Sequence, residues 1–175
     1  MKISNKMSIG EFAALVASHL ESRGISTVLT GGAVVSIYTE NKYMSYDADF
    51  ISSTDHKLIS NAMQELGFES HGKEFRHEDT DFFVEFPSGP LAIGNSLIEA
   101  EAELKFQNHK LKLLSPTQSV MDRLSAYFCW NDMQCLDQAI WIAEKHPVNI
   151  SQIRKWTKQE GEEDKFKIFV AKVKK

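Results

Sequence analysis

Two aspartates separated by one residue are the residues in this sequence best suited to chemistry. Asp47 and Asp49 lie in a segment that alternates acidic and apolar residues, as a β-strand with one buried face does. Because successive side chains of a strand point to opposite faces, both carboxylates project from one face and Ala48 and Phe50 from the other. Two carboxylates this close repel each other unless a cation lies between them. Since Mg²⁺ is commonly held by one or two carboxylates together with substrate phosphates, the pair predicts a magnesium site, which Mn²⁺ would also suit.

A pair of glycines comes shortly before the aspartates. Gly31 and Gly32 follow the run Ile25 to Thr30, which is predicted to be a strand. Glycines let the backbone approach a phosphate closely, and a helix starting after them would present free N–H groups to that anion. A Gly-Gly pair is also common in tight turns, and an Asp-x-Asp pair at strand ends. The prediction of a phosphate and metal site therefore depends on the glycine pair and the aspartate pair occurring together, in one short unit that consists of a strand, a turn, a helix and a second strand.

A third carboxylate is predicted on a later strand, residues 81–87, where one face is entirely apolar and should be core. Glu85 lies on the opposite face, beside Phe83. A charge near the centre of a strand is rarely buried without a partner, so Glu85 is the first candidate for a third metal ligand. Asp81, on the same face near the start of the strand, is the second candidate. The alternative interpretation is that Glu85 is a solvated strand residue.

Amphipathic helices are predicted to pack around these strands. Ser8 and Glu11 have capping-box spacing, which predicts a helix over 8–23. A second helix is predicted over 56–66, with Leu58 in its buried stripe.

The C-terminal third of the chain is predicted to be helical. Ser115 and Pro116 are a cap residue followed by proline at the first helical position. The apolar stripe that follows is interrupted at 130–132, which indicates two helices meeting there or one helix with a polar group facing the site. We expect a core domain over 1–114 and a helical region over 115–175 packed on it as one structural unit.

The composition is that of an ordinary soluble globule. Of 175 residues, 42% are hydrophobic and 25% charged, and the formal net charge of −4 gives no overall basic footprint for nucleic acid. Cys129 and Cys135 lie six residues apart in a predicted helix, too far apart for a disulfide, and are expected to be reduced thiols. No signal-peptide pattern and no apolar run of transmembrane length is visible, so the expected location is the cytoplasm, without a membrane partner.

The glycine pair followed by Asp47-Ala48-Asp49-Phe50 resembles the signature of the DNA polymerase β-like nucleotidyltransferase superfamily. The resemblance is nearest to small bacterial minimal nucleotidyltransferases and the toxin components of abortive-infection systems. It covers the first half of the chain well, and the second half is similar to the helical tail of bacterial members. It implies an α+β fold: a mixed β-sheet flanked by helices, with a C-terminal helical segment.

The resemblance also implies roles for individual residues. The phosphates of a nucleoside triphosphate would lie over Gly31 and Gly32, and a basic residue on the first C-terminal helix would contact them. Arg123 matches that position, although lysine is more usual there, and an Asp–Arg surface pair is the alternative interpretation. The third carboxylate of the family is more often Asp than the Glu found at position 85.

Two classes of function follow from these expectations. The first is a magnesium-dependent enzyme that moves a nucleoside monophosphate from a nucleoside triphosphate to a hydroxyl of a tRNA end, a protein or a small molecule. The second is a catalytically degenerate protein of the same fold that binds a partner protein, as in a toxin–antitoxin pair. Convergence of three acidic side chains would favour the first. A dinucleotide-binding domain is a weaker third reading, because a third glycine is missing.

Overall fold

A mixed β-sheet organises residues 2–173, the part of the chain that the computed structural model describes. The strands in this part of the chain are β1 (Val28–Thr30), β2 (Asp47–Ile51), β3 (Glu69–His71), β4 (Glu74–Arg76), β5 (Phe83–Glu85), β6 (Ala92–Ile93), β7 (Ser96–Leu97), β8 (Ala102–Phe106) and β9 (His109–Leu113). Seven of them form the mixed sheet, in the order β3-β4-β5-β2-β1-β9-β8, and the other two, β6 and β7, form a small hairpin.

Helices precede, interrupt and follow the strands. They are α1 (Ile9–Ser22), α2 (Gly31–Tyr38), α3 (His56–Glu65), α4 (Pro116–Trp130), α5 (Met133–Lys145), α6 (Ile150–Glu160) and α7 (Glu163–Val173). Local sequence sets several of their ends. The predicted capping box of α1 is confirmed, because Ser8 Oγ accepts from the Glu11 N–H at 3.2 Å and Glu11 Oε2 accepts from the Ser8 N–H at 2.8 Å. The same arrangement starts α4 at Ser115 and Gln118.

Strand pairing brings the two halves of the candidate site together. β1 runs antiparallel to β2, with Thr30 opposite Asp49. β5 lies on the other side of β2 and runs parallel to it, with Asp49 opposite Glu85. The alternation predicted for β2 is confirmed, since Ala48 and Phe50 are fully buried while the aspartates are half-buried.

One face of the sheet packs into the core. Val84 and Phe75, which are aligned with Ala48 across the sheet, are almost completely buried on this face. Helix α1 covers it, with the Phe12 ring 5.4 Å from that of Phe82. Helix α3 lies on the same side, where the His56 ring is 5.9 Å from Phe75. The aspartates and Glu85 project from the opposite face, which we call the open face.

The C-terminal helices contact the end of α2. The Tyr38 hydroxyl donates to the Leu114 carbonyl at 2.8 Å, and burial raises the pKa of this hydroxyl to about 12. His146, after α5, bonds to the Tyr38 carbonyl at 2.8 Å. The boundary at 114/115 falls between β9 and α4; the division of the chain into a core and a helical region stays a prediction. In the described part of the chain, no helix is both long and apolar enough to cross a lipid bilayer.

Several local predictions need correction. Gly31 and Gly32 are the first residues of α2 and not a turn before it, and the first strand is limited to Val28–Thr30. Leu58 was predicted to be buried but is 57% exposed, because α3 turns that side towards solvent. At 130–132, by contrast, the first of the two predicted alternatives is confirmed: two helices meet there, since Asn131 adopts a left-handed conformation that ends α4 and Asp132 caps α5.

Candidate functional site

Two carboxylates are neighbours at the centre of the open face. Asp49 and Glu85 are directly opposite each other on parallel strands, and paired residues project from the same face of a sheet. Asp47, two residues before Asp49, is opposite Phe83 and projects from that face as well. The structure therefore places three of the four acidic candidates, Asp47, Asp49 and Glu85, side by side on β2 and β5.

Asp81 lies elsewhere. The strand predicted over 81–87 is shorter in the structure, and β5 contains only Phe83–Glu85. Asp81 is exposed and lines an open depression with Lys2 and Asp79. The second candidate for the third carboxylate is therefore outside the strand that carries Glu85.

Gly31 lies against the carboxylate of Asp49. Its φ of +69° is in the left-handed region, where a side chain is strained. A Cβ at this position would also lie 2.6 Å from Asp49 Oδ2. A glycine is thus required here for two reasons, the backbone conformation and the close approach of the carboxylate.

The start of α2 has free backbone donors. Thr30 is its N-cap residue, but its side chain makes no capping hydrogen bond; its hydroxyl donates to the Asp49 carbonyl at 3.3 Å instead. The first N–H groups of a helix have no partners within the helix and carry the positive end of its dipole. Beside the carboxylates there is therefore a helix start suited to an anion such as a phosphate.

Asp47 is held by the loop that precedes it. Ser45 Oγ donates to Asp47 Oδ1, and the Ser45 N–H donates to Ser36 Oγ of α2 at 2.8 Å. Gly32 faces this loop, since a Cβ there would lie 2.8 Å from Ser45 Oγ. The second glycine thus leaves room for the residue that orients Asp47.

Burial and like charges act together on Asp49. Its pKa is raised to about 6, first by burial and then by the negative charges of Asp47 and Glu85. Arg123 lowers the pKa, and Asp122 raises it. A cation near this carboxylate would relieve both the desolvation and the repulsion.

Arg123 is close enough to Asp49 to influence its pKa and is only 17% exposed in its side chain. Its Nε and Nη2 donate to Asp122 Oδ2 at 3.0 and 2.5 Å. Burial, the largest influence, lowers the pKa of Arg123, but the negative charge of Asp122 and its hydrogen bond to the guanidinium, with the smaller influences of Cys135 and Tyr43, outweigh it, so the net shift is upward. Arg123 is therefore a charged group near the site that already has an anionic partner.

Cys135 of α5 holds Arg123 from a second side. Arg123 Nη1 donates to Cys135 Sγ at 3.9 Å, and Cys135 Sγ donates to Asp132 Oδ2 at 3.3 Å. Burial raises the pKa of the Cys135 thiol to about 11, so this thiol stays protonated at neutral pH. Both cysteines are free, as the sequence predicted.

The three carboxylates suit a divalent cation in their chemistry but not in their present orientation. The type and charge of Asp47, Asp49 and Glu85 suit Mg²⁺, and the pKa of Asp49 is raised by its burial and, to a smaller extent, by the charges of the other two. Their orientations do not yet suit it: within residues 2–173, no three His, Cys, Asp or Glu side chains are arranged to hold one metal ion. Asp47 is turned towards Ser45 and Asp49 towards Gly31. Side-chain rotation would be needed to form a complete ligand set.

Sequence reasoning missed the residues that orient the site. Asp122, Ser45 and Cys135 each contact or influence a predicted site residue. Of these three residues, only Asp122 could be noticed in the sequence, because its position next to Arg123 suggested an ion pair. The contacts of Ser45 and Cys135 depend on tertiary packing that no local pattern encodes.

The chain is similar to two solved structures of nucleotidyltransferase-like proteins. One is the crystal structure of an antigenic nucleotidyltransferase-like protein from Paracoccidioides brasiliensis, 16% identical, with a TM-score of 0.54 over 79% of this chain and 77% of that chain. The other is the solution structure of the antibiotic-resistance factor ANT(2'')-Ia, 13% identical, with a TM-score of 0.53 over 88% of this chain and 94% of that chain. No protein-family model matches the sequence, and no curated protein sequence matches it. The likeness confirms the predicted fold class, and the chain has a nucleotidyltransferase-like fold.

Proposed function

We propose that this protein is a magnesium-dependent nucleotidyltransferase that moves a nucleoside monophosphate from a nucleoside triphosphate to an acceptor hydroxyl. The observation that carries the proposal is the pairing of Asp49 with Glu85 on adjacent strands, with Asp47 on the same face and the start of α2 beside them. The fold shared with nucleotidyltransferase-like proteins supports it.

In this proposal the triphosphate lies over the start of α2. The free N–H groups at Gly31 and Gly32 bind phosphate oxygens, and Arg123 exchanges part of its contact with Asp122 for a phosphate. The acceptor oxygen attacks the α-phosphorus, forming a new P–O bond and breaking the bond to pyrophosphate. Glu85 helps to activate the acceptor hydroxyl, either as the base that takes its proton or as a metal ligand, in which case the proton passes to water.

Asp47, Asp49 and Glu85 would hold the Mg²⁺ or Mn²⁺ ion. The ion would supply neutralisation of the phosphate charge and orientation of the triphosphate. The chain itself supplies the rigid supports, since β2 and β5 fix the positions of the carboxylates and Gly31 allows Asp49 to lie close to the start of α2.

The acceptor class within this proposal includes an RNA end, a protein hydroxyl or a small molecule. A bacterial toxin–antitoxin setting, which the family resemblance implies, belongs to the proposal in the same way, as does the cytoplasmic location expected from the sequence. They rest on no contact in the structure.

A second candidate function is that of a catalytically degenerate protein that binds a partner protein. The observation in its favour is that no described group of three acidic, His or Cys side chains is arranged for a metal. If the carboxylates keep these orientations in solution, nucleotide binding would not require magnesium.

Thermal unfolding with each nucleoside triphosphate, with and without Mg²⁺, tests the proposal. A ligand at 100 times its dissociation constant stabilises the folded state by about 2.7 kcal/mol. We expect a magnesium-dependent shift in the wild type that Asp47→Asn abolishes, because the substitution removes one carboxylate charge without changing the shape of the side chain. Asp81→Asn, outside β5, is the matched control and should keep the shift. A shift that persists in Asp47→Asn, or none with any nucleotide, would favour the binding protein.

A further inference from the structure

The open face continues beyond the carboxylates onto strands β5, β4 and β3. Strand register aligns Asp47 with Phe83, Arg76 and Glu69 in one row across the face. A second row on the same face, two residues away along each strand, contains Asp49, Glu85, Glu74 and His71. The start of α2 lies on the opposite side of β2, after β1. If the donor nucleotide occupies that side, the acceptor must approach over β5 and β4.

Arg76 and Phe83 are in contact on this side of the site. The guanidinium carbon of Arg76 lies 4.6 Å from the centre of the Phe83 ring, so the two planar groups are in contact. Arg76 remains 48% exposed in its side chain, so a ligand can reach it from solvent. Guanidinium planes and aromatic rings are groups on which bases stack. Neighbouring strands are about 4.8 Å apart, which places Arg76 about 10 Å from Asp47 across the sheet.

Glu74 fixes the guanidinium and leaves a free acceptor beside it. Arg76 Nε and Nη2 are each 2.6 Å from Glu74 Oε2. The structure gives Glu74 Oε1 no hydrogen bond to any residue within 2–173. The charge of Arg76 is neutralised by this partner, and Glu85 and Glu69 add further negative charge to the rows. The surface therefore disfavours a string of phosphates and favours an uncharged planar group with N–H donors.

We propose that Arg76 and Phe83, with Glu74, form an acceptor subsite that binds the base of a nucleoside. The base stacks on the Arg76 guanidinium and donates an N–H to Glu74 Oε1, while the ribose points towards Glu85. In this arrangement a ribose hydroxyl is the group that receives the nucleotide. The inference rests on the proposed function for the side on which the donor binds, and it adds the chemical class of the acceptor.

Saturation-transfer NMR on the full chain tests the subsite with adenosine as the probe, with ribose and N-acetyltyrosinamide as comparison ligands. The protein is first saturated with Mg²⁺ and a non-hydrolysable ATP analogue, so that adenosine cannot report on the donor site. We expect saturable adenosine binding and none of ribose. Arg76→Ala and Arg76→Lys should both raise the adenosine dissociation constant at least five-fold, because lysine keeps the charge but lacks the planar group.

Arg154→Ala is the matched control. Arg154 also lies over a phenylalanine ring, that of Phe166 at 5.7 Å, but on helices α6 and α7 away from the open face. The Arg154→Ala substitution should leave the adenosine dissociation constant unchanged. The midpoint of thermal unfolding confirms that each variant is folded, and Arg76→Lys keeps the test valid if the alanine variant is not.

Three outcomes would overturn the proposal. If adenosine fails to bind, or binds both Arg76 variants as tightly as the wild type, the Arg76–Phe83 contact is only a cross-strand pair and not a subsite. Preference for N-acetyltyrosinamide would indicate a tyrosine acceptor instead of a base. Failure of the donor-site proposal is distinguishable, because it removes the magnesium-dependent nucleotide shift in the wild type, whereas the subsite is read from the difference in adenosine binding between the wild type and the Arg76 variants.

Discussion

At the scale of single residues, the charged carboxylate of Asp49 destabilises the folded protein. Its raised pKa means that the folded state binds a proton more readily than the unfolded chain between about pH 4 and pH 6. The free energy of unfolding therefore falls as the pH rises through this range, and the full penalty is present above about pH 6. Such a penalty is expected where a carboxylate is placed for a charged ligand and not for stability.

Removing the charge of Asp49 should stabilise the metal-free protein. We expect Asp49→Asn, in the presence of a chelator, to increase the free energy of unfolding at pH 7 by on the order of 1–3 kcal/mol. The gain should shrink towards zero as the pH falls from about 6 to about 4, because the wild-type carboxyl becomes neutral there. Urea unfolding at several pH values measures this. Asp81→Asn, an exposed carboxylate, should change stability by less than about 0.5 kcal/mol, and a destabilised Asp49→Asn at pH 7 would contradict the argument.

Gly31 allows a second prediction with an internal control. Gly31→Ala should lower the free energy of unfolding by roughly 2–4 kcal/mol, because it combines a left-handed backbone with a Cβ that contacts Asp49. Gly24 has a similar φ of +74° but no neighbouring atom within 4 Å of the added Cβ. Gly24→Ala should therefore cost only the backbone part, roughly 1–2 kcal/mol. Denaturant unfolding of both variants measures the difference, and equal losses would show that the Asp49 contact is easily relieved.

At the scale of elements, α4 and α2 differ in how their starts are satisfied. Ser115 caps α4 through the Gln118 N–H, whereas the side chain of Thr30 makes no capping bond to α2. Ser115→Ala should lower the free energy of unfolding by about 0.5–2 kcal/mol, and Thr30→Ala by clearly less. Thermal or urea unfolding distinguishes them. A larger loss at Thr30 would mean that its bond to the Asp49 carbonyl matters more than its distance of 3.3 Å suggests.

The elements also show what the sequence could and could not predict. The helix at Ser8 and the same-face aspartates of β2 were predictable, because capping and strand alternation are local rules. Strand β8, with its mixed composition over Ala102–Phe106, was not predicted because its pairing with β9 supplies the structure.

Long-range placement was less predictable at the site itself. The alignment of Asp49 with Glu85 could be expected only as a shared face, because the register between β2 and β5 is fixed by packing and not by either strand alone. The same limit applies to the Arg76–Phe83 contact, which joins β4 to β5. In both cases, local patterns predicted which residues lie on one face of a strand, and the order and register of the strands determined which of these residues are neighbours.

At the scale of the whole molecule, the C-terminal helices should unfold together with the sheet. All three tryptophans, Trp130, Trp141 and Trp156, lie in α4, α5 and α6. Trp156 Nε1 donates to the Ile93 carbonyl at 3.3 Å, which links α6 to the β6–β7 hairpin. Unfolding curves from tryptophan fluorescence and from far-ultraviolet circular dichroism should therefore coincide. Two separated transitions would instead show that residues 115–175 form an independent unit.

The sheet order has a consequence for the time course of folding. Strand β1 lies between β2 and β9, and its parallel partner β9 is reached only at Leu113, far along the chain from Leu29. Closing so long a loop is costly in entropy before any contact repays it, which slows folding. During synthesis, the two aspartates leave the ribosome well before Glu85, β9 and Arg123 exist to complete their surroundings. A nascent chain of this protein therefore carries an exposed, incomplete acidic site until synthesis has reached the last third of its sequence.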